Sequence, residues 1–120
     1  MRILPLAFLA VIAAPAAEAQ PYSISMAQCA ALTKNAARWV TSAEANVRLM
    51  SATRLWQRAA IARAQAEGVQ NAEARIADVM ARQSEEWEVG GAAFFYTQEF
   101  RDWSAYCREF AKAQKIDLNP

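Results

Sequence analysis

The sequence predicts an all-α protein, and three observations support that prediction. Alanine accounts for 29 of the 120 residues, and arginine, glutamate, glutamine and methionine, which also favour helices, fill much of the rest. No proline occurs between Ser25 and Lys115, and the chain has only three glycines. No stretch alternates apolar and polar residues with the period of two that is typical of a half-buried strand.

Residues 1–19 are predicted to be a cleaved signal peptide. Arg2 precedes a short apolar run, and Ala17-Glu18-Ala19 fits the small-x-small pattern that signal peptidase recognises. The apolar run is too short to cross a bilayer, and no later segment is long and apolar enough to do so. We therefore expect cleavage after Ala19, export to the periplasm or the medium, and a single helical domain over residues 20–120 with no integral membrane segment.

The first helical stretch is predicted to begin at Ser25 and to end near Gly68. Ser25 and Gln28 have the spacing of a capping box, and apolar residues then recur at helical spacing. Gly68 suits the left-handed conformation that ends many helices. The segment Thr41-Ser42-Ala43-Glu44 has the form of a second capping box, which favours a break there, although no glycine or proline lies nearby.

The second half of the chain is predicted to form two further helices. Asn71 can cap the first of them, and Gly90-Gly91 interrupts the pattern. The last helix is expected from about Ala92 to Lys115, with residues 116–120 as a frayed tail. Its apolar stripe is the most regular in the chain and consists of Ala93, Tyr96, Phe100, Trp103, Cys107 and Phe110.

The two cysteines of the exported chain, Cys29 and Cys107, are predicted to form a disulfide. A disulfide requires Cα atoms within about 7 Å, which excludes a three-helix bundle that reverses only at its glycines. Two topologies remain open. One is an antiparallel bundle with a third reversal near Thr41, and the other is a long kinked α-hairpin that folds once at Gly68.

Charge is unevenly distributed along the chain. Residues 34–63 contain six basic side chains and one acidic side chain, whereas residues 64–100 contain two basic and seven acidic side chains. The simpler interpretation is that these segments attract each other in the fold. The alternative is a basic stripe, with Arg54 and Arg58 one turn apart, that contacts an acidic partner or anionic lipid.

Composition excludes several chemical functions. The chain has no histidine, so it can hold neither a histidine-activated nucleophile nor a histidine-ligated metal. We expect neither a metal nor a cofactor site, because the acidic residues Glu85, Glu86 and Glu88 fit a solvated helix face. The pair Glu99 and Asp102 has the chemistry for acid–base work, but a chain of this size offers little room for a cleft. The near-neutral net charge of +1 argues against nucleic-acid binding.

The best candidate for a partner surface is aromatic and comprises Trp87, Phe94, Phe95 and Tyr96. Three consecutive rings on a helix cover about 200° of its circumference, which is more than one small core accommodates. One ring is then expected to face outward beside Gly90-Gly91. The alternative is that small alanine and glycine neighbours allow helices to pack closely and bury all three.

In size, export, helix content and a single disulfide, the chain is similar to small exported helical proteins such as periplasmic acid-stress chaperones, immunity proteins and lysozyme inhibitors. The resemblance involves no shared motif. We expect a non-enzymatic protein-interaction protein, such as an inhibitor, immunity factor, chaperone or assembly accessory, that binds another protein or itself. The alternatives are a small exported hydrolase or metal protein that uses carboxylates, and a structural homodimer of the envelope.

Overall fold

The computed structural model describes residues 20–119, so the predicted signal peptide lies outside the described residues. These residues form four α-helices and one 3₁₀ segment, and they contain no strand. The predicted all-α class is confirmed. In chain order the elements are α1 (Tyr22–Trp39), α2 (Ala43–Ala66), α3 (Ala72–Glu88), the 3₁₀ segment η1 (Gly91–Tyr96) and α4 (Gln98–Ala113).

The helices run alternately up and down, with α1 in contact with all three others. Asn46 of α2 donates from Nδ2 to the carbonyl of Ala37 at 2.8 Å, so α1 and α2 form a tight antiparallel hairpin. Cys29 and Cys107 form the predicted disulfide between α1 and α4, with Cα atoms 5.7 Å apart. The chain therefore reverses three times, which corresponds to the antiparallel bundle rather than the long hairpin.

The reversal between α1 and α2 takes only Val40, Thr41 and Ser42. Ser42 is the N-cap of α2, and its Oγ accepts from the backbone N–H of Ala45 at 3.2 Å. This bond satisfies one of the free amides at the start of the helix. The predicted break is confirmed, but the cap is Ser42 with Ala45 rather than the predicted capping box of Thr41 with Glu44.

The reversal between α2 and α3 depends on Gly68. Its φ of +81° lies in the left-handed region, and the N–H of Val69 bonds back to the carbonyl of Ala64 at 3.0 Å. Asn71 directly precedes α3, as predicted, but it adopts φ +53° and its side chain caps nothing. It contributes through its tolerance of the left-handed conformation.

Two predicted helix boundaries are wrong. Helix α1 begins at Tyr22 rather than Ser25, because Pro21 serves as the N-cap and Ser25 is buried inside the helix. The last helix begins at Gln98 rather than Ala92. Thr97 interrupts it, because its hydroxyl accepts from the N–H of Phe100 at 3.2 Å and donates to the carbonyl of Phe94 at 2.7 Å.

The C-terminal tail packs onto the bundle instead of fraying from it. Lys115 adopts φ +56°, which allows the N–H of Ile116 to bond to the carbonyl of Ala111 at 2.8 Å. This turn directs the tail back along α4, where Ile116 and Leu118 are partly buried against the core. The predicted fraying of residues 116–120 is therefore wrong for residues 116–119, which are the ones the structure describes.

Candidate functional site

The four residues of the predicted partner surface lie in two different environments. Trp87 and Phe94 are only 3% and 7% exposed and belong to the core, so they are unavailable to a partner in this conformation. Phe95 is partly buried, and Tyr96 is 77% exposed. The predicted surface is therefore wrong for Trp87 and Phe94, while Tyr96 is the ring that faces outward.

The geometry of η1 explains this division. A 3₁₀ helix has about three residues per turn, so consecutive side chains point about 120° apart. Phe94 points inward, stacks on Trp87 at 5.5 Å between ring centroids and contacts Trp39 edge-on at 6.0 Å. Phe95 and Tyr96 are consequently turned away from the core.

A single network of ring contacts joins all the aromatic side chains of residues 20–119. From Phe94 it continues through Trp87 and Trp103, whose centroids are 5.3 Å apart, and along the face of α4 to Phe110. Edge-on and offset contacts of this kind add stability beyond the area that they bury. The remaining members of the network are Tyr22, Trp39, Trp56, Phe95, Tyr96, Phe100 and Tyr106.

Ring contacts and a hydrogen bond attach η1 to the start of α4 at one end of the bundle. Phe95 stacks on Phe100 at 4.6 Å, and Arg101 donates from its guanidinium to the carbonyl of Tyr96 at 3.1 Å. Val89, at the end of α3, is 90% exposed. We call Val89, Phe95 and Tyr96 the knuckle surface, because they flank the sharp turn between α3 and α4.

Hydrogen bonds between Asn35 of α1 and Ser84 of α3, which we call the polar seam, fix the position of the turn that follows α3. Asn35 is buried and donates from Nδ2 to the carbonyl of Ser84 at 3.2 Å, while the Ser84 hydroxyl donates to the Asn35 side-chain oxygen. Ser84 also lies within hydrogen-bond distance of Glu88, which forms an ion pair with Arg38. The seam sets the register of α3, and thus of the knuckle surface, against α1.

The basic stripe lies along a groove between α2 and α3. Arg54 and Arg58 line this groove together with Glu73, and Lys34 of α1 lies where it continues toward Met80. Two ion pairs join the oppositely charged segments predicted to attract each other, Arg38 with Glu88 across the fold and Arg63 with Glu67 within one helical turn. Within residues 20–119, neither Arg54 nor Arg58 lies within ion-pair distance of a carboxylate.

The carboxylates do not converge on one site. Within residues 20–119, no three His, Cys, Asp or Glu side chains lie close enough together to hold a metal ion. Glu99 and Asp102 are both exposed on α4, and Asp102 accepts a hydrogen bond from Gln98 at 2.8 Å. None of the helices described is both long enough and apolar enough to cross a membrane.

Sequence reasoning missed two features of this surface. Val89 lies just after the last apolar residue that follows the helical spacing of α3. No local sequence pattern therefore marks its side chain as exposed. A second feature is an open cleft between α1 and α4 that is lined by the glutamines Gln20 and Gln28. These glutamines were assigned to no site, because their cleft forms only when α4 folds back onto α1.

Comparison of the chain with protein-family models, with curated proteins and with solved structures finds no match.

Proposed function

We propose that this chain is an exported helical protein-interaction protein that binds its partner through the knuckle surface. The class includes inhibitors, immunity factors, chaperones and assembly accessories. The observation that supports the proposal most directly is the exposure of Val89 and Tyr96, at 90% and 77%, on either side of a rigid turn. Contiguous apolar patches on a monomer surface are typical of interaction sites, and we propose that Val89, Phe95 and Tyr96 form one such patch.

Rigidity strengthens this interpretation. A side chain that is already ordered loses little conformational entropy when it binds, and tyrosine is enriched among residues that dominate binding energy. Tyr96 has both properties, since its ring contacts Phe95 at 5.6 Å and Phe95 in turn stacks on Phe100. The knuckle surface thus presents an aromatic side chain that is supported on one side by Phe95.

Export is supported by the pattern of residues 1–19 and agrees with the pairing of the two cysteines. Disulfides persist in oxidising compartments, and a link between Cys29 and Cys107 joins the first and last helices. We expect the periplasmic fraction of expressing cells to contain a chain that begins at Gln20. Intact-mass measurement checks this, and a full-length chain in the membrane or cytoplasmic fraction would contradict it.

The binding proposal is tested by affinity capture from periplasmic extract. The bait is the exported chain or the double variant Val89→Asp and Tyr96→Asp, which places two charges on the knuckle surface. The matched control carries Gln65→Asp and Gln70→Asp, two exposed positions near the opposite end of the bundle. The proposal predicts one reproducible partner that the wild type and the control retain and the knuckle variant loses.

Two results would contradict the knuckle surface as the binding site. The first is a partner that the knuckle variant retains, and the second is the absence of any partner at every bait concentration. Light scattering of the purified chain covers the remaining case, since a dimer that the knuckle variant abolishes identifies the partner as a second copy.

A further inference from the structure

An open cleft of about 500 Å³ lies between the N-terminal half of α1 and the middle of α4. This volume falls within the range of small-molecule sites. The cleft does not include the knuckle surface, and its interpretation does not depend on the proposed function. We call it the glutamine cleft, and it is lined by Gln20, Ser25, Gln28, Asp102, Trp103 and Tyr106.

One wall of the cleft is aromatic. Trp103 and Tyr106 lie perpendicular to each other, with ring centroids 5.8 Å apart. Trp103 is supported from behind by Trp87 at 5.3 Å, and Tyr106 is supported by Phe110 at 5.7 Å. Buried rings therefore hold this wall in place, so it is formed before any ligand arrives.

The opposite wall consists of side-chain amides. Gln20 donates from Nε2 to the Ser25 hydroxyl at 3.0 Å and to Gln28 Oε1 at 2.7 Å. Gln28 donates in turn to Gln83 Oε1 at 3.0 Å. These bonds orient the amides, and together they agree on which terminal atom of each glutamine is the oxygen and which is the nitrogen.

Hydrogen-bonding capacity remains on both walls after these bonds are counted. Among the described residues, Gln20 Oε1 and Asp102 Oδ2 accept no hydrogen bond, and one N–H of Gln28 donates none. The indole N–H of Trp103 and the hydroxyl of Tyr106 also form no hydrogen bond with a described group. The side chains of the cleft thus offer donors and acceptors together with one negative charge, that of Asp102, and cleavage after Ala19 adds the positive α-amino group of Gln20.

We propose that the glutamine cleft binds a neutral oligosaccharide. Each sugar hydroxyl both donates and accepts, which matches the mixed capacity of Gln20, Gln28 and Tyr106. The C–H face of a pyranose ring is apolar and packs against an aromatic wall such as Trp103 and Tyr106. Asp102 and the α-amino group that cleavage leaves on Gln20 carry opposite charges, so the cleft has no net charge that would favour an ionic ligand.

The test uses the exported chain labelled with ¹⁵N. The indole N–H of Trp103 gives one resonance, which is assigned by its loss in Trp103→Phe. Cellotriose, chitotriose and maltotriose are titrated separately, with trialanine as a peptide of similar length. We expect at least one trisaccharide to shift the Trp103 resonance with a Kd on the order of 1 mM or tighter, and trialanine to leave it unchanged.

The matched variants are Tyr106→Ala and Tyr22→Ala. Both tyrosines are about half exposed, at 45% and 46%, and both pack on Phe110, but only Tyr106 lines the cleft. We expect Tyr106→Ala to weaken trisaccharide binding at least about tenfold and Tyr22→Ala to leave it within about twofold. Asp102→Asn, at an exposed position, gives a second cleft variant that leaves the core intact.

Three results would overturn the proposal. The first is a Trp103 resonance that none of the three trisaccharides shifts. The second is a shift with trialanine that is as large as the shift with a sugar. The third is a loss of binding in Tyr22→Ala that is as large as the loss in the two cleft variants. The second result would indicate a peptide site, and the third would indicate that binding reports general loosening of the fold.

Discussion

Asn35 and Ser84 form the polar contact that fixes α3 against α1. Both side chains are buried, and each satisfies the other, so the pair belongs to the core although neither residue is apolar. A buried polar group without a partner costs the full free energy of its desolvation. The pair therefore favours one register, because sliding α3 along α1 would separate Asn35 from both of its partners on Ser84.

Replacing one partner tests this role. Asn35→Ala removes the side-chain donor to the Ser84 carbonyl and leaves the Ser84 hydroxyl with Glu88, at 3.4 Å, as its remaining acceptor, so we expect the free energy of unfolding to fall by about 1–3 kcal/mol. Thr41→Ala, at an exposed position of the α1–α2 turn, should change it by less than about 0.5 kcal/mol. Urea denaturation monitored by circular dichroism measures both, and equal effects would contradict the role assigned to the pair.

Gly68 and Gly90 give a matched pair of glycine substitutions. Gly68 has φ +81°, whereas Gly90 has φ −80° and its nearest neighbour to an added Cβ lies at 3.7 Å, an ordinary contact distance. We expect Gly68→Ala to lower the free energy of unfolding by about 1 kcal/mol, because alanine is strained in the left-handed region. Gly90→Ala should not lower the free energy of unfolding. Thermal unfolding that shows Gly90→Ala to be less stable than Gly68→Ala would contradict the turn geometry.

At the scale of the elements, each helix end that the sequence predicted correctly is marked by a local signal. Ser42, Gly68 and Asn71 act within a few residues of their own position, so local sequence is sufficient to find these helix ends. Thr97 escaped prediction because its cap competes with a strong aromatic periodicity that favours a continuous helix. The burial of Phe94 escaped for the same reason, since it depends on the 3₁₀ geometry of η1.

The N-cap of α2 is the element-scale feature that most directly creates the four-helix topology. Ser42→Ala removes the hydroxyl that accepts from Ala45, and we expect it to lower the free energy of unfolding by about 1 kcal/mol. Ser51 lies inside the same helix, and none of the described side-chain hydrogen bonds involves it, so Ser51→Ala should be neutral or slightly stabilising. Urea unfolding that ranks Ser51→Ala as the more damaging change would contradict the cap.

At the scale of the whole molecule, the first and last helices are joined by the disulfide and by the aromatic network. The predicted link between Cys29 and Cys107 was sufficient to exclude one topology, but it did not decide between the remaining two. The cleft lay beyond sequence reasoning, because Gln20 and Gln28 approach Asp102 and Trp103 only after three chain reversals. No local sequence pattern indicates that residues so far apart in the chain will lie together in the fold.

Removing the disulfide tests how far α4 depends on it. The double variant Cys29→Ser and Cys107→Ser releases a loop with a sequence separation of 78 residues. The chain-entropy model gives a loss of about 4 kcal/mol in the free energy of unfolding. We also expect the amides of α4 to exchange with solvent faster than those of α2. Uniform exchange across the bundle would contradict this role for the link.

The central claim is that the knuckle surface contacts a partner, and site-specific photo-crosslinking in the expressing cell tests it most directly. Tyr96 is replaced by p-benzoylphenylalanine in one strain and Gln65 in another, so that the probe lies near opposite ends of the bundle. We predict a discrete adduct from position 96 that disappears when Val89→Asp is added, and no such adduct from position 65. The absence of an adduct at position 96, or the same adduct from both positions, would contradict the claim.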